Sequence, residues 1–480
     1  MALLAALLAA ATTFTVITWD DIPLRTTPDH TNAGPPNILL ITSDDQRADD
    51  MVAMRRTREL IGQRGTTFDR AYATFPLCCP SRASMLTGQY AHNHGVLGNG
   101  DNGVGGYREF DNSSTLATWL EDAGYRTSFV GKYLNGYGAV QPRTVPVGWA
   151  EWQTSVAGGN YQRTRIFDGE SVAEYDDYQT DLYAELAGDA LERGLAGSQP
   201  LFLWASFFAP HSGTPSESDD PGGIQTPAVA DRHRDAFDGL GLPDNPSVDE
   251  ADVSDKPADI ATRERLGPAT ERGLAELREQ RLESLLALDE AVQRLLGVLE
   301  SSGEWDNTLV VFTSDNGYMI GEHRIQGGKL VPYEPSARVP LLVSGPGFPR
   351  GVVREQPVGL IDLAPTLVEA SGVSAGLSMD GVSLQGPAGD PDVGAERTLL
   401  LESGPDAVGG PIRYGGARTG RYVYVEYVDG EQEFYDLRAD PYQLENLAAD
   451  PDQETAALIE QYADRARRLA GCSGSDCSLS

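Results

Sequence analysis

Four short apolar runs set the rhythm of this chain, and each ends abruptly in polar or glycine-rich sequence. Asn37-Ile38-Leu39-Leu40-Ile41-Thr42 gives way to Ser43-Asp44-Asp45-Gln46, and Tyr125 to Val130 gives way to Gly131-Lys132-Tyr133-Leu134-Asn135. Leu201 to Phe208 leads into Ala209-Pro210-His211, and Thr308 to Thr313 into Ser314-Asp315-Asn316-Gly317. Runs of this length without polar alternation predict strands buried on both faces. Between them the period lengthens. Residues 114–122 read as a helix, and in 270–299 Leu282, Leu285, Leu286, Val292, Leu295, Leu296 and Leu299 recur at three- and four-residue steps. Strands alternating with helices predict a mainly parallel sheet covered on both faces. Such sheets bind ligands beyond the carboxyl ends of their strands. The Asp-Asp, Lys, His and Asp-Asn that follow the four runs are therefore expected on one rim.

The pattern loosens after residue 210. Residues 211–268 are rich in Pro, Asp and Gly without sustained periodicity, which suits either a functional lid or a solvated excursion. A helical stretch at 359–371 precedes a glycine-rich linker, 372–394. Beyond it, 397–401, 412–417, 422–427 and 433–437 alternate, with Asp429-Gly430 as a turn, and predict an antiparallel sheet closed by a helix over 453–470. The expected fold class is α/β: a large mainly parallel sheet flanked by helices, with a smaller C-terminal antiparallel sheet plus helix. The expected organisation is a leader and linker at 1–33, a catalytic α/β domain at 34–394 and an α+β subdomain at 395–480 with a disulfide-closed tail. Residues 1–18 are Ala/Leu-rich like the apolar part of a signal peptide, but no Lys or Arg precedes them and no clear cleavage site follows. They read as a signal or an uncleaved anchor. No later segment is long and apolar enough to span a membrane.

Composition narrows the partners. The chain has 480 residues, 40% of them hydrophobic, enough for a large core, and a formal charge of −34. That charge argues against nucleic acid or an anionic membrane surface as a partner. It is largely screened beyond a Debye length of about 8 Å, so an anionic substrate would need a local cationic pocket. Such a pocket has few lysines to draw on: Lys132, Lys256 and Lys329 are the only ones among 37 basic residues. An ammonium is a compact point charge suited to a single tetrahedral oxygen, unlike the guanidinium fork. Of the four cysteines, Cys472 and Cys477 in Cys-Ser-Gly-Ser-Asp-Cys read as a small disulfide loop and favour an oxidising compartment.

The strand ends carry candidate chemistry. Asp44, Asp45, Asp315 and Asn316 offer hard oxygen ligands suited to Ca²⁺ or Mg²⁺. His323 is a candidate pocket residue, while His92 and His94 take no assignment. Asp289, inside the apolar stripe of the long helix, reads as a structural anchor.

The stretch Cys78-Cys79-Pro80-Ser81-Arg82, followed by Leu86-Thr87-Gly88, resembles the signature of type I sulfatases. The likeness runs from Pro36 to about Gly347 and resumes at Phe434-Tyr435-Asp436-Leu437, Asp440-Pro441 and Glu445-Asn446-Leu447. Tyr90-Ala91-His92-Asn93-His94-Gly95-Val96, Gly131 to Asn135 and Asp252 to Pro257 look most like N-acetylglucosamine-6-sulfatases and their extracellular heparan-acting relatives. Many arylsulfatases carry a histidine two residues after the active-site lysine; here that place is Leu134, which points away from them. The resemblance implies an alkaline-phosphatase-like fold. It also implies oxidation of Cys78 to formylglycine (3-oxoalanine), whose hydrate attacks sulfur. The implied cation is Ca²⁺, with Mg²⁺ as the alternative, bound by Asp44, Asp45, Asp315, Asn316 and residue 78. Arg82 would hold the formylglycine, Lys132 and Lys329 the sulfate oxygens, and His211 would protonate the leaving oxygen, with His323 among the substrate contacts.

The expected function is hydrolysis of a sulfate ester on a sugar or glycan, specifically 6-O-sulfated N-acetylglucosamine, by an exported protein matured by a formylglycine-generating enzyme. The alternatives are an arylsulfatase of broad specificity, a phosphonate or phosphate-ester hydrolase of the same superfamily, and an unmodified, non-catalytic glycan-binding protein.

Overall fold

The computed structural model describes residues 34–480 except 101–102, 142, 157–158, 219, 406–412 and 480. The leader expected over 1–33 therefore lies outside the described residues, as does the first residue of the strand expected at 412–417. Pro35–Ser480 form one compact unit.

The centre is a ten-stranded sheet, and the four apolar runs are its middle strands. They are β1 (Asn37–Ser43), β2 (Arg126–Gly131), β3 (Leu201–Ser206) and β4 (Thr308–Ser314). Their order is β4-β1-β3-β2, all parallel, with Asn37 opposite Thr308, Ile38 opposite Phe202 and Arg126 opposite Leu201. Alternate side chains serve two cores. Ile38, Leu40, Phe129, Phe202, Leu309 and Val311 face one layer. Leu39, Ile41, Val130, Leu203, Val310 and Phe312 face the other. The first layer is covered by α1 (Cys78–Thr87) among other helices, and the second by α2 (Gln179–Leu195) and α3 (Pro268–Ser302). The long helix matches its periodicity: a proline opens it, and Gly303 at φ 78° closes it, where a side chain would be strained.

Both edges of the sheet were missed by pattern alone. Glu151–Ser155 continues the parallel order, after which Thr164–Phe167 and Val172–Tyr175 return antiparallel; beyond β4 come Leu341–Ser344, Thr66–Phe68 and Val352–Arg354. These strands are only three to five residues long, and several are partly exposed, too little for a clear signal. The C-terminal sheet has the expected four antiparallel strands, Leu399–Ser403, Tyr414–Arg418, Tyr422–Tyr427 and Gln432–Asp436, packed under α4 (Gln453–Leu469). Among its described residues, the excursion from 211 to the start of α3 at Pro268 has one helix, the short Ala258–Ala261, and no strand.

Register places the rim. Ser43 pairs with Ser314, Thr42 with Ser206, and Gly131 with Ser206, so Asp44, Lys132, Phe207 and Asp315 leave adjacent strands at one level. Gly131 is tightly required: φ is +114°, and a Cβ there would lie 1.9 Å from the Ser206 carbonyl oxygen, which also accepts the Lys132 N–H at 2.9 Å. Gly131→Ala should cost about 3 kcal/mol in denaturant unfolding. A loss within about 0.5 kcal/mol, the range of neutral substitutions, would contradict this reading of the rim.

Candidate active site

Cys78 opens α1, whose residues are all buried, and its sulfur points at the strand ends. Sγ lies 3.6 Å from Asp44 Oδ1 and 3.8 Å from Asp45 Oδ1, and the Lys329 ammonium donates to it at 2.8 Å. Cys79 faces away into the apolar core, its N–H held by Asn99 at 2.9 Å. Burial, then the neighbouring Asp44 carboxylate, pushes the Cys78 thiol up to about 12. An unmodified cysteine here is a protonated thiol and a poor nucleophile.

Arg82, one turn further along α1, has no exposed side-chain surface. Its Nε donates to Asp315 at 2.8 Å and its Nη2 to Asp44 at 3.2 Å. Its Nη1 reaches the Lys132 carbonyl at 2.7 Å and Ser206 Oγ at 2.6 Å. None of these bonds goes to Cys78, so Arg82 acts on residue 78 by joining its helix to the strand ends.

The remaining charges pair across the rim. The Lys132 ammonium sits on Asp44 and the Lys329 ammonium on Asp45. Burial alone would raise both carboxyls, but these ammoniums outweigh it and hold both below the usual carboxylate range. Asp315 goes the other way, raised by burial and by Asp44. Asp45 holds a left-handed φ of 65°, and its N–H is fixed by Asp315 Oδ1 at 3.0 Å. His211 Nε2 stands 3.7 Å from Asp45, and its Nδ1 lies 2.7 Å from the Ser212 carbonyl. The ring stacks on Phe208 at 4.6 Å. Burial lowers the His211 imidazole, with Asp45 opposing.

A cation fits these residues. One donor atom from each of Asp44, Asp45, Cys78 and His211 lies within 4.8 Å of the others. Asn316 donates its amide N–H to Asp45 at 2.7 Å, while its Oδ1 is buried without a hydrogen-bond partner. A buried amide oxygen left open beside carboxylates is the donor a hard cation takes up. Three carboxylates (Asp44, Asp45, Asp315) face three cationic side chains (Arg82, Lys132, Lys329), so the cluster is neutral before any ion or anionic ester enters.

Of the residues expected at the site, Cys78, Asp44, Asp45, Asp315, Asn316, Arg82, Lys132, Lys329 and His211 meet here. His323 does not. It is 1% exposed, its Nδ1 is 2.6 Å from Glu250, and its ring packs 4.2 Å from Tyr333, so it has no surface to offer a substrate. Left-handed φ values at His323 and Arg324 turn the chain after Asp315 in a way that sequence proximity cannot show. Ser206 was missed, although a hydroxyl ending a buried strand signals a partner at the rim. Asp289 anchors the N–H groups of Arg56 and Thr57 at 3.0 and 2.8 Å. Cys472 and Cys477 form the disulfide, and the Cys472 carbonyl bonds His92 and Asn93 at 3.0 Å each.

The part of the 211–268 excursion nearest the cluster bounds an opening. A cavity of about 700 Å³ lies against Lys132 and His211, walled by Phe208, by residues 212–214 and by Asp220, Ile224, Gln225 and Thr226 among others.

Residues 36–373 match the family described as "Sulfatase", and 321–469 the one described as "N-sulphoglucosamine sulphohydrolase, C-terminal". The chain belongs to the sulfatase family. It is by that membership a sulfuric ester hydrolase, with the alkaline-phosphatase-like fold of its structural neighbours. The sulfatase is 31% identical to the N-acetylglucosamine-6-sulfatase of Capra hircus, over 92% of its own length and 84% of the relative's. It is 36% identical to the extracellular sulfatase SULF-1 homologue of Drosophila melanogaster over 73% of its length, spanning 31% of that longer protein. A protein solved with its substrate D-glucosamine-2-N,6-O-disulfate superposes with TM-score 0.72 at 22% identity, over 89% of this sulfatase and 97% of that chain.

His94 links α1 to the segment behind it. Val96 N–H donates to Nδ1 at 3.1 Å, which leaves the ring proton on Nε2 to reach Ser84 Oγ at 3.1 Å. Burial, then His92, lowers this imidazole to about 3 from an ordinary 6.5. The folded state refuses a proton that the unfolded chain accepts, so this contribution is full above pH 6.5 and is lost as pH falls towards 3. Between pH 7 and 5, His94→Gln should lose unfolding free energy less steeply than the parent. Equal slopes would contradict the assignment.

Proposed function

We propose that this sulfatase removes the 6-O-sulfate from N-acetylglucosamine units of a glycan, with residue 78 as nucleophile in its formylglycine form. The observation that carries the reading is the convergence of Cys78, Lys132, Lys329 and His211 around Asp44 and Asp45, with Lys132 and His211 also lining the cavity. The 31% identity to an N-acetylglucosamine-6-sulfatase along nearly the whole chain supports the choice of sugar.

A divalent cation, Ca²⁺ or Mg²⁺, held by Asp44, Asp45, Asp315, Asn316 and residue 78, would supply positive charge to the sulfate and the nucleophile. Lys132 and Lys329 are placed to hold the other sulfate oxygens and to stabilise the charge that builds on them. The hydrated formylglycine at residue 78 would supply the nucleophilic hydroxyl for attack on sulfur and, through its second hydroxyl, the means to expel sulfate and restore the aldehyde. With Nδ1 donating to the Ser212 carbonyl, Nε2 is the His211 atom that faces the centre, and it protonates the departing oxygen from the imidazolium form, which Asp45 at 3.7 Å favours against burial. Arg82 holds the geometry of this centre from beneath.

Maturation needs a formylglycine-generating enzyme as partner. Export is supported by the extracellular sulfatase relatives and by the Cys472–Cys477 disulfide. Among the described residues no helix is long and apolar enough to cross a membrane. A catalytic domain at 34–394 and an α+β subdomain at 395–480 remain our division of the chain.

Cys78→Ser, which removes the substrate of the aerobic maturation enzyme, should keep the unfolding midpoint and lose turnover by at least about 10³-fold. Across a panel of monosaccharide sulfates, the parent should release sulfate from N-acetylglucosamine-6-sulfate. Full activity in the variant would overturn the nucleophile; release only from other sugars would overturn the substrate.

A further inference from the structure

We propose that the cleft beside the reaction centre selects a sugar with no second anionic group, and that Asp220 sets this preference. The inference rests on the sulfatase reading and deepens it. Among the described residues lining the cavity, Lys132 is the only lysine or arginine and Asp220 the only aspartate or glutamate. The Lys132 ammonium is already committed to Asp44. From 212 to 226 the sequence contains no Lys or Arg, and Glu217, which lies outside the cavity lining, is paired with Arg234 at 2.8 Å.

Asp220 cannot turn aside to admit a like charge. Its carboxylate accepts the Glu217 N–H at 2.7 Å, the Thr226 hydroxyl at 2.9 Å and the Gln280 amide at 2.8 Å. The rest of the wall offers neutral polar groups, among them Asn135, Ser212, Thr214 and Gln225, beside apolar Ile224. Hydroxyl and acetamido groups can hydrogen-bond to such a wall. A sulfamate or carboxylate there would meet a fixed negative charge, and the one lysine on the wall, Lys132, is already paired with Asp44. Like charges about 7 Å apart in a partly solvated cleft disfavour binding by roughly tenfold. Rejection by a repulsive element, not by a missing contact, is the form of specificity expected.

The test compares kcat/KM for release of the 6-O-sulfate from N-acetylglucosamine-6-sulfate and from D-glucosamine-2-N,6-O-disulfate, using the full, formylglycine-containing protein. The parent should favour the monosulfate by about tenfold or more. Asp220→Asn should bring the ratio towards one. Asp220 also braces its loop, so Gln225→Arg, which places a cation at an exposed position on the same wall, should do the same independently. Equal kcat/KM on both substrates in the parent, or a ratio unmoved by both variants, would overturn the proposal and leave the sulfatase reading standing. Release from neither substrate would overturn the sulfated-glucosamine reading itself, and the proposal with it.

Discussion

A single buried guanidinium holds the reaction centre together. Arg82 reaches the ends of β1 and β4 through Asp44 and Asp315, and the ends of β2 and β3 through the Lys132 carbonyl and Ser206 Oγ. A cation with no solvent contact is tolerable only when fully paired, and losing one partner of such a pair typically costs about 3–5 kcal/mol. Here the cost binds four strands and one helix to a common geometry. Residue 78, at the start of that helix, is thereby aimed at the strand ends from which Asp44, Asp45 and Lys132 emerge.

The balance of charge around Arg82 explains why this centre suits an anionic ester in a protein of net charge −34. Global charge is screened, while three carboxylates and three cations packed at the rim act at contact distance. Lys132 and Lys329 sit on the carboxylates of the cluster, and Lys329 also donates to residue 78, so the proposed sulfate site has two ammoniums beside it. The same environment keeps the Cys78 thiol protonated, which makes thiolate attack a poor account of the site. The formylglycine form proposed for residue 78 would not depend on a thiolate.

Much of this was legible along the chain because parallel strands put their C-terminal ends at one level. Asp44-Asp45, Lys132, His211 and Asp315-Asn316 each follow an apolar run, and the register of β1 to β4 brings them together. Where the chain leaves strand geometry, reading by position fails. His323 lies eight residues beyond Asp315, yet left-handed turns bury it against Glu250. Arg82 was visible as a cation near the cysteine, but its bond to Asp315 spans 233 residues, and its role depends on that contact. The excursion at 211–268 has no period to read. Its meaning comes from where it lands, against Lys132 and His211.

The central claim is that residue 78 does the chemistry in oxidised form, and mass spectrometry of the peptide spanning 75–82, from protein assayed in the same preparation, tests it most directly. Active protein should yield the formylglycine peptide, with turnover rising in proportion to its fraction across preparations of differing maturation. Full turnover from protein whose residue 78 is wholly an unmodified thiol would contradict the account.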